Sequence, residues 1–199
     1  MHERPTEQDS HILHQGLAGL PEPVARPVLI VVSGLPGSGK SFFGHRLAER
    51  FPVAILETDD LRQKLVPTPT HSAEESQRLF AAVHLLIERL LSRGIPVLLD
   101  ATNLVERHRE ILYHLAEKAG AKLILVRIGA PPDVVVQRLQ TRQQQAARED
   151  HSTADVRVYQ RMQSSAEPIR RQHYAVDTSR DIGPAIANVL REVRSWLRG

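Results

Sequence analysis

A chain of 199 residues with no cysteine has room for one α/β domain and little beyond it, and excludes disulfides, thiolate zinc sites and thiol nucleophiles. The formal charge of +3 is a small excess that favours anionic partners without requiring nucleic acid. No apolar run approaches the roughly 18 residues of a membrane-spanning helix, and residues 1–10 lack the pattern of a secretory signal, so a soluble cytoplasmic protein is expected.

Residues 1–26 contain Pro5, Pro21 and Pro23 and no sustained periodicity. They read as an extension, a poorly ordered tail with room for a short helix around 12–20. The pattern changes at Pro27. Residues 28–32 form a continuous β-branched and aliphatic run, as in a strand buried on both faces of a parallel sheet. A Gly-rich turn and an amphipathic segment over 40–50 follow. A second short strand is expected at 53–56, ending on the polar Glu57-Thr58-Asp59-Asp60. Ser72 to Glu75 has the spacing of a capping box, opening a helix that runs to about residue 93. Further strands are expected at 97–99, 123–128 and 174–176, and further helices at 105–119, from 131 through Arg142, at 153–165 and at 186–197. Strands alternating with helices imply βαβ units: five parallel strands with helices on both faces. Ligands of such sheets sit beyond the carboxyl ends of the strands, so residues 34–41, 59–60, 100–103 and 177–179 should share one crevice.

Gly34-Leu35-Pro36-Gly37-Ser38-Gly39-Lys40-Ser41 fits the Walker A pattern, placed between an expected strand and an expected helix. The glycines let successive N–H groups face an anion at the positive end of a helix. Lys40 can reach the β and γ phosphates of ATP, Ser41 can ligate magnesium, and Phe42 closes the nucleotide-binding stretch. Asp100, at the end of a buried strand, can hold the metal opposite Ser41. Asp59 can accept the proton of an attacking hydroxyl, and Arg62 can orient the acceptor or neutralise charge. Arg138 and Arg142 lie four apart on one helix face, where guanidinium groups of a closing segment can stabilise transferred charge and exclude water. The ten histidines show no metal-ligand spacing.

The order of these elements, from the Walker A loop through Asp59-Asp60-x-Arg62 and Asp100-x-Thr102-Asn103 with Arg107 to Arg138 and Arg142, resembles the polynucleotide 5′-kinase branch of P-loop kinases. The related zeta-toxin and small-metabolite kinases look similar over the same core, an AAA-type ATP-binding domain of nucleoside-kinase-like fold. The resemblance implies five parallel strands with the P-loop strand central, Asp59 as general base, and Arg62 with Thr102, Asn103 and Arg107 on the acceptor. It also implies Arg138 and Arg142 on a lid of about residues 133–165, within a kinase domain over 27–199. The expected activity is an ATP- and magnesium-dependent transfer of the γ-phosphate to a hydroxyl. Few aromatic rings and no long basic track near these residues favour a small metabolite or nucleoside-type acceptor. The alternatives are a polynucleotide 5′-hydroxyl, and a P-loop ATPase or non-catalytic nucleotide-binding module.

Overall fold

The computed structural model describes residues 5–17, 19–149 and 156–199. Five strands, β1 (Val28–Ser33), β2 (Ala54–Glu57), β3 (Val97–Asp100), β4 (Lys122–Gly129) and β5 (Tyr174–Asp177), form one parallel sheet in the order β2-β3-β1-β4-β5. The sequence expectation of five parallel strands with the first in the centre holds. Alternate residues of β1 enter two separate cores. Leu29 and Val31 pack with the helices of one face, and Val28, Ile30 and Val32 with those of the other. A strand buried on both faces needs the unbroken aliphatic run seen here.

On the first face lie α1 (Pro5–Gln15), α3 (Thr58–Leu65), α4 (Ala73–Ser92) and α5 (Glu106–Lys118). On the second lie α2 (Lys40–Ala48) and α8 (Gly183–Arg198). Helices α6 (Pro132–Glu149) and α7 (Val156–Ser164) add a small third cluster, in which Val135, Leu139 and Tyr159 pack against Leu35 of the Gly-rich turn. Part of the expected lid, residues 150–155, lies outside the described residues, as do residues 1–4 and 18. No described helix is long and apolar enough to cross a membrane.

Three elements differ from expectation. The amino-terminal segment is a helix at 5–15, not a tail with a helix at 12–20. Leu13 is fully buried, and the Asp9 carboxylate accepts both arms of the Arg78 guanidinium at 2.6 Å. Those contacts with α4 are long-range and leave no local periodicity. Second, the polar stretch after β2 coils at once into α3, with Asp59 and Asp60 in its first turn, where carboxylates favour the positive end of the helix dipole. Third, α6 continues through the Gln-rich segment to Glu149, consistent with the good helix propensities of Gln, Arg and Ala. The expected cap of α4 is present, the Glu75 amide donating to Ser72 Oγ at 3.1 Å.

Candidate nucleotide and acceptor site

The turn 34–39 leaves the carboxyl end of β1 and feeds α2. Gly39 stands at φ 94°, and a Cβ there would lie 2.9 Å from Thr178 Oγ1. A Cβ on Gly34 would lie 2.4 Å from the Ile128 carbonyl oxygen. Glycine is required at both positions, by left-handed backbone at the first and by close approach to β4 at the second. Lys40 begins α2 and its ammonium donates to the Leu35 carbonyl at 3.3 Å, curling over the loop. Burial pushes Lys40 below the ordinary lysine range, while the charges of Asp100 and Asp59 pull it back up.

Parallel pairing of β1 with β3 puts Asp100 opposite Val32, one step from the loop. Ser41 Oγ donates to Asp100 Oδ2 at 2.6 Å. Asp100 is 5% exposed, and burial raises its carboxyl pKa against the opposing pull of Lys40 and the Ser41 hydrogen bond. A hydroxyl and a carboxylate side by side are hard oxygen donors suited to magnesium, which keeps several waters and takes its remaining ligands from phosphates. Among the described residues no group of three or more His, Asp or Glu is placed to hold a metal.

Asp59 is exposed at the start of α3, and its charge acts on both Lys40 and Asp100. Its neighbour Asp60 is engaged by Lys64 at 2.7 Å. Asp59, Asp100, Lys40 and Ser41 are therefore brought together from three elements. Arg62, read as an acceptor contact, is engaged within the fold. It is buried and paired with Glu75 at 2.5 Å, and the Thr70 amide and Arg62 together hold the Glu75 carboxyl down to about 2. Thr102 presents its carbonyl to the Gly34 amide and the Ser33 hydroxyl. Asn103 is buried in left-handed backbone at φ 45°, and Arg107 is exposed on α5.

Beside the turn, a cavity of about 480 Å³ is lined by Gly37, Gly39, Phe42, Gln137, Arg138, Thr141 and Arg142. Phe42, expected to close the nucleotide-binding stretch, is 52% exposed at its wall, while Phe43 fills the core. Arg138 and Arg142 share this cavity, as their spacing on one face requires. Arg138 donates to Thr178 Oγ1 at 2.8 Å and to the Thr178 carbonyl at 2.9 Å. The Thr178 hydroxyl in turn donates to the Ser38 carbonyl at 2.6 Å. Arg142 is exposed, and its charge contributes to lowering the Lys40 pKa.

Two parts of the site escaped sequence reasoning. Residues 177–179 were placed in the crevice by the strand-end rule, but nothing local marks Thr178 as the link between turn and α6. The other is Arg109, 1% exposed. It donates to Glu106 at 2.7 Å, to the Asn103 carbonyl at 2.6 Å and to the carbonyls of Glu167 and Pro168. It ties the loop after β3 to the chain that returns from α7. The Glu106 to Arg109 spacing is legible as a helix pair; the carbonyls of 167 and 168 are not.

Comparison with known proteins bears on this arrangement. A family model described as an AAA domain matches residues 29–169. The mouse protein KTI12 homolog is 34% identical over 103 residues, 49% of this chain and 29% of that protein. The adenylyl-sulfate kinase of Myxococcus xanthus is 26% identical over 114 residues, 55% of this chain and 62% of the enzyme. The chain thus spans less than two thirds of the length of either relative. The structure of the APS kinase CysC of Mycobacterium tuberculosis, solved with AMPPNP and APS, superposes with a TM-score of 0.64 at 20% identity, covering 87% of this chain and 99% of that one. At that identity the likeness is one of fold, the α/β sheet of P-loop kinases.

Proposed function

This chain belongs to the AAA domain family, and we propose that it is an ATP- and magnesium-dependent kinase that moves the γ-phosphate of ATP to a hydroxyl of a small metabolite or nucleoside-type acceptor. The observation that carries the reading is the second carboxylate. Asp100 is committed to Ser41, whereas Asp59 is exposed and within electrostatic reach of Lys40. A hydrolase or a passive nucleotide binder has less need of such a group.

The residues divide the work. The loop amides and Lys40 hold the β and γ phosphates, with Lys40 drawn toward its charged form by the phosphates it meets. Ser41 and Asp100 would hold magnesium, which neutralises phosphate charge when bound. Asp59 takes the proton of the acceptor hydroxyl as its oxygen bonds to the γ phosphorus and the bond from phosphorus to the β,γ-bridging oxygen breaks, releasing ADP. Arg142, with Arg138 behind it, spreads positive charge over the transferred group. Relatives named for adenylyl sulfate support a small, phosphate- or nucleotide-bearing acceptor. The likeness to the KTI12 homolog, whose name carries no kinase activity, keeps an ATPase or non-catalytic module as the rival.

The test is transfer from γ-labelled ATP with magnesium to a panel of nucleosides, adenylyl sulfate, sugars and 5′-hydroxyl oligonucleotides, alongside phosphate release without acceptor. The reading requires label on a small acceptor, lowered about 10²- to 10⁴-fold by Asp59→Asn with ATP affinity kept, the range for loss of a general base. Acceptor-independent phosphate release would make the protein an ATPase. Labelling of oligonucleotides that improves with length and collapses with salt would make it a polynucleotide 5′-kinase.

A further inference from the structure

A second basic site lies at the other end of the sheet. Helix α2 starts at the P-loop and runs back along the sheet, so Arg50, just past its end, sits near the amino ends of the strands. Helix α8 finishes at the same edge. The Trp196 indole N–H donates to the carbonyl of Pro27, the residue before β1, at 3.2 Å, and Arg26 donates to the Trp196 carbonyl. Between the two helices is a groove of about 420 Å³ lined by Arg50, Ala187, Leu190, Arg191, Arg194 and Arg198.

Arg191, Arg194 and Arg198 follow steps of three and four and so share one face of α8. Nearby carboxylates are engaged elsewhere. Glu192 is taken by Lys122 at 2.8 Å and Tyr174 at 2.6 Å, and Glu49 by Arg46 at 3.1 Å. Among the described residues no ion pair reaches any of the four lining arginines, and Arg191 has only the Asn188 amide oxygen at 3.0 Å.

We propose that this groove binds a compound carrying two or more adjacent phosphates, independently of the nucleotide at the P-loop. Four guanidinium groups around one concavity repel one another unless an anion lies between them. A phosphate monoester carries about −1.5 to −2 charges, so two phosphates balance the four cations where one leaves half uncompensated. The planar fork of each guanidinium matches phosphate oxygens in pairs. The groove falls within the roughly 300–1,000 Å³ of small-ligand sites, and Ala187 and Leu190 give it an apolar floor for a carbon portion. A nucleic-acid strand is the poorer fit: the seven steps from Arg191 to Arg198 span only about 10 Å along the helix axis, shorter than the track on which a strand of four or more nucleotides is gripped.

Inorganic tripolyphosphate is the probe, read by titration calorimetry. Wild-type protein should bind two equivalents, one at each site. Lys40→Ala should retain one. Adding Arg194→Gln with Arg198→Gln to Lys40→Ala should weaken that remaining site at least tenfold, and orthophosphate should bind it at least tenfold more weakly than tripolyphosphate. Should the combined variant fail to fold by circular dichroism, Arg50→Gln, which lies off α8, supplies the same readout. Absence of the second equivalent, or a second equivalent indifferent to all these arginines, overturns the proposal. Tighter binding of single-stranded DNA than of tripolyphosphate, rising with strand length, also overturns it and assigns the groove to nucleic acid.

Discussion

The hydroxyl of Ser41 donates to the carboxylate of Asp100 across 2.6 Å, although 59 residues separate them. Pairing of the first and third strands closes that gap, so the sheet order itself assembles the pair proposed to hold magnesium. Burial raises the Asp100 pKa, and the sign of its linkage follows. A carboxyl whose folded pKa is raised contributes stability below its unfolded pKa, and that contribution is lost as pH rises through the folded value. At neutral pH the ionised Asp100 therefore burdens the empty protein. Asp100→Asn should be more resistant to urea than wild type at pH 7, with the advantage shrinking as pH falls through the raised pKa toward the ordinary aspartate value. The same variant should lose most of the thermal stabilisation that ATP with magnesium gives the wild type. An Asp100→Asn protein that is stabilised by ATP and magnesium as fully as wild type would remove Asp100 from the metal site.

Thr178 holds the turn to α6. Its hydroxyl donates to Ser38 and accepts from Arg138, so Thr178→Val keeps the shape and removes both bonds. Each neutral hydrogen bond is worth about 1 kcal/mol net, and the one to the arginine more. Loss of roughly 2–3 kcal/mol is expected by urea denaturation. Because Arg138 would keep its bond to the Thr178 carbonyl but lose the one to the hydroxyl, its guanidinium is held less firmly, and turnover should fall several-fold while ATP affinity changes less. Unchanged turnover in Thr178→Val would show that Arg138 needs no such anchor.

Local signals made the phosphate half of the site legible and left most of the acceptor half dark. The glycines, Lys40 and Ser41 form one contiguous turn whose chemistry is contained in its spacing, and the aliphatic run before it announces a central strand. Asp59 and Asp100 could be singled out as candidates because strand ends are where ligands of parallel sheets gather. The surroundings of Arg62 were not legible in the sequence, for a physical reason. Its partner Glu75 sits 13 residues away on another helix, and nothing in the stretch around Arg62 shows that its guanidinium will be buried against it. The amino-terminal helix was missed on the same ground, since Leu13 and the Asp9 to Arg78 fork earn their meaning only when α4 is alongside.

Arg109 gives the sharpest stability prediction. Four of its contacts are to Glu106 and to backbone carbonyls in a nearly closed interior, and its removal strands the Glu106 carboxylate. Breaking one partner of a buried ion pair typically destabilises by about 3–5 kcal/mol, and for a chain of this size each kcal/mol shifts Tm by about 2–4 °C. Arg109→Met should therefore lower Tm by roughly 10 °C. The double change with Glu106→Gln should recover part of the loss, since no charge is then left buried. A calorimetric scan of the two variants decides it: equal Tm in both would show that the stranded carboxylate is not the source.

Acid sensitivity should trace in good part to one histidine. His84 lies on α4 with the Phe80 ring tilted beside it, centroids 6.1 Å apart. Burial first, and the charge of His108 second, push its pKa down to about 4 from the usual 6.5. For a group whose folded pKa is depressed, the linked stability is present above the unfolded pKa and lost as pH falls through the folded one. His84 therefore stays neutral in the folded protein while the unfolded chain takes up its proton, and folding weakens between about pH 6.5 and pH 4. A displacement of this size corresponds to roughly 3 kcal/mol over the whole window, at about 1.4 kcal/mol per pH unit. His84→Leu keeps an apolar side chain of good helix propensity and has no proton to bind. Urea midpoints measured at pH 7 and at pH 4.5 should fall less for the variant than for the wild type, with the gap opening below pH 6.5. Parallel losses in the two proteins would show that His84 is not the source of the acid sensitivity in this window; Glu75, whose folded pKa is depressed to about 2, gives up its contribution only below about pH 4.5.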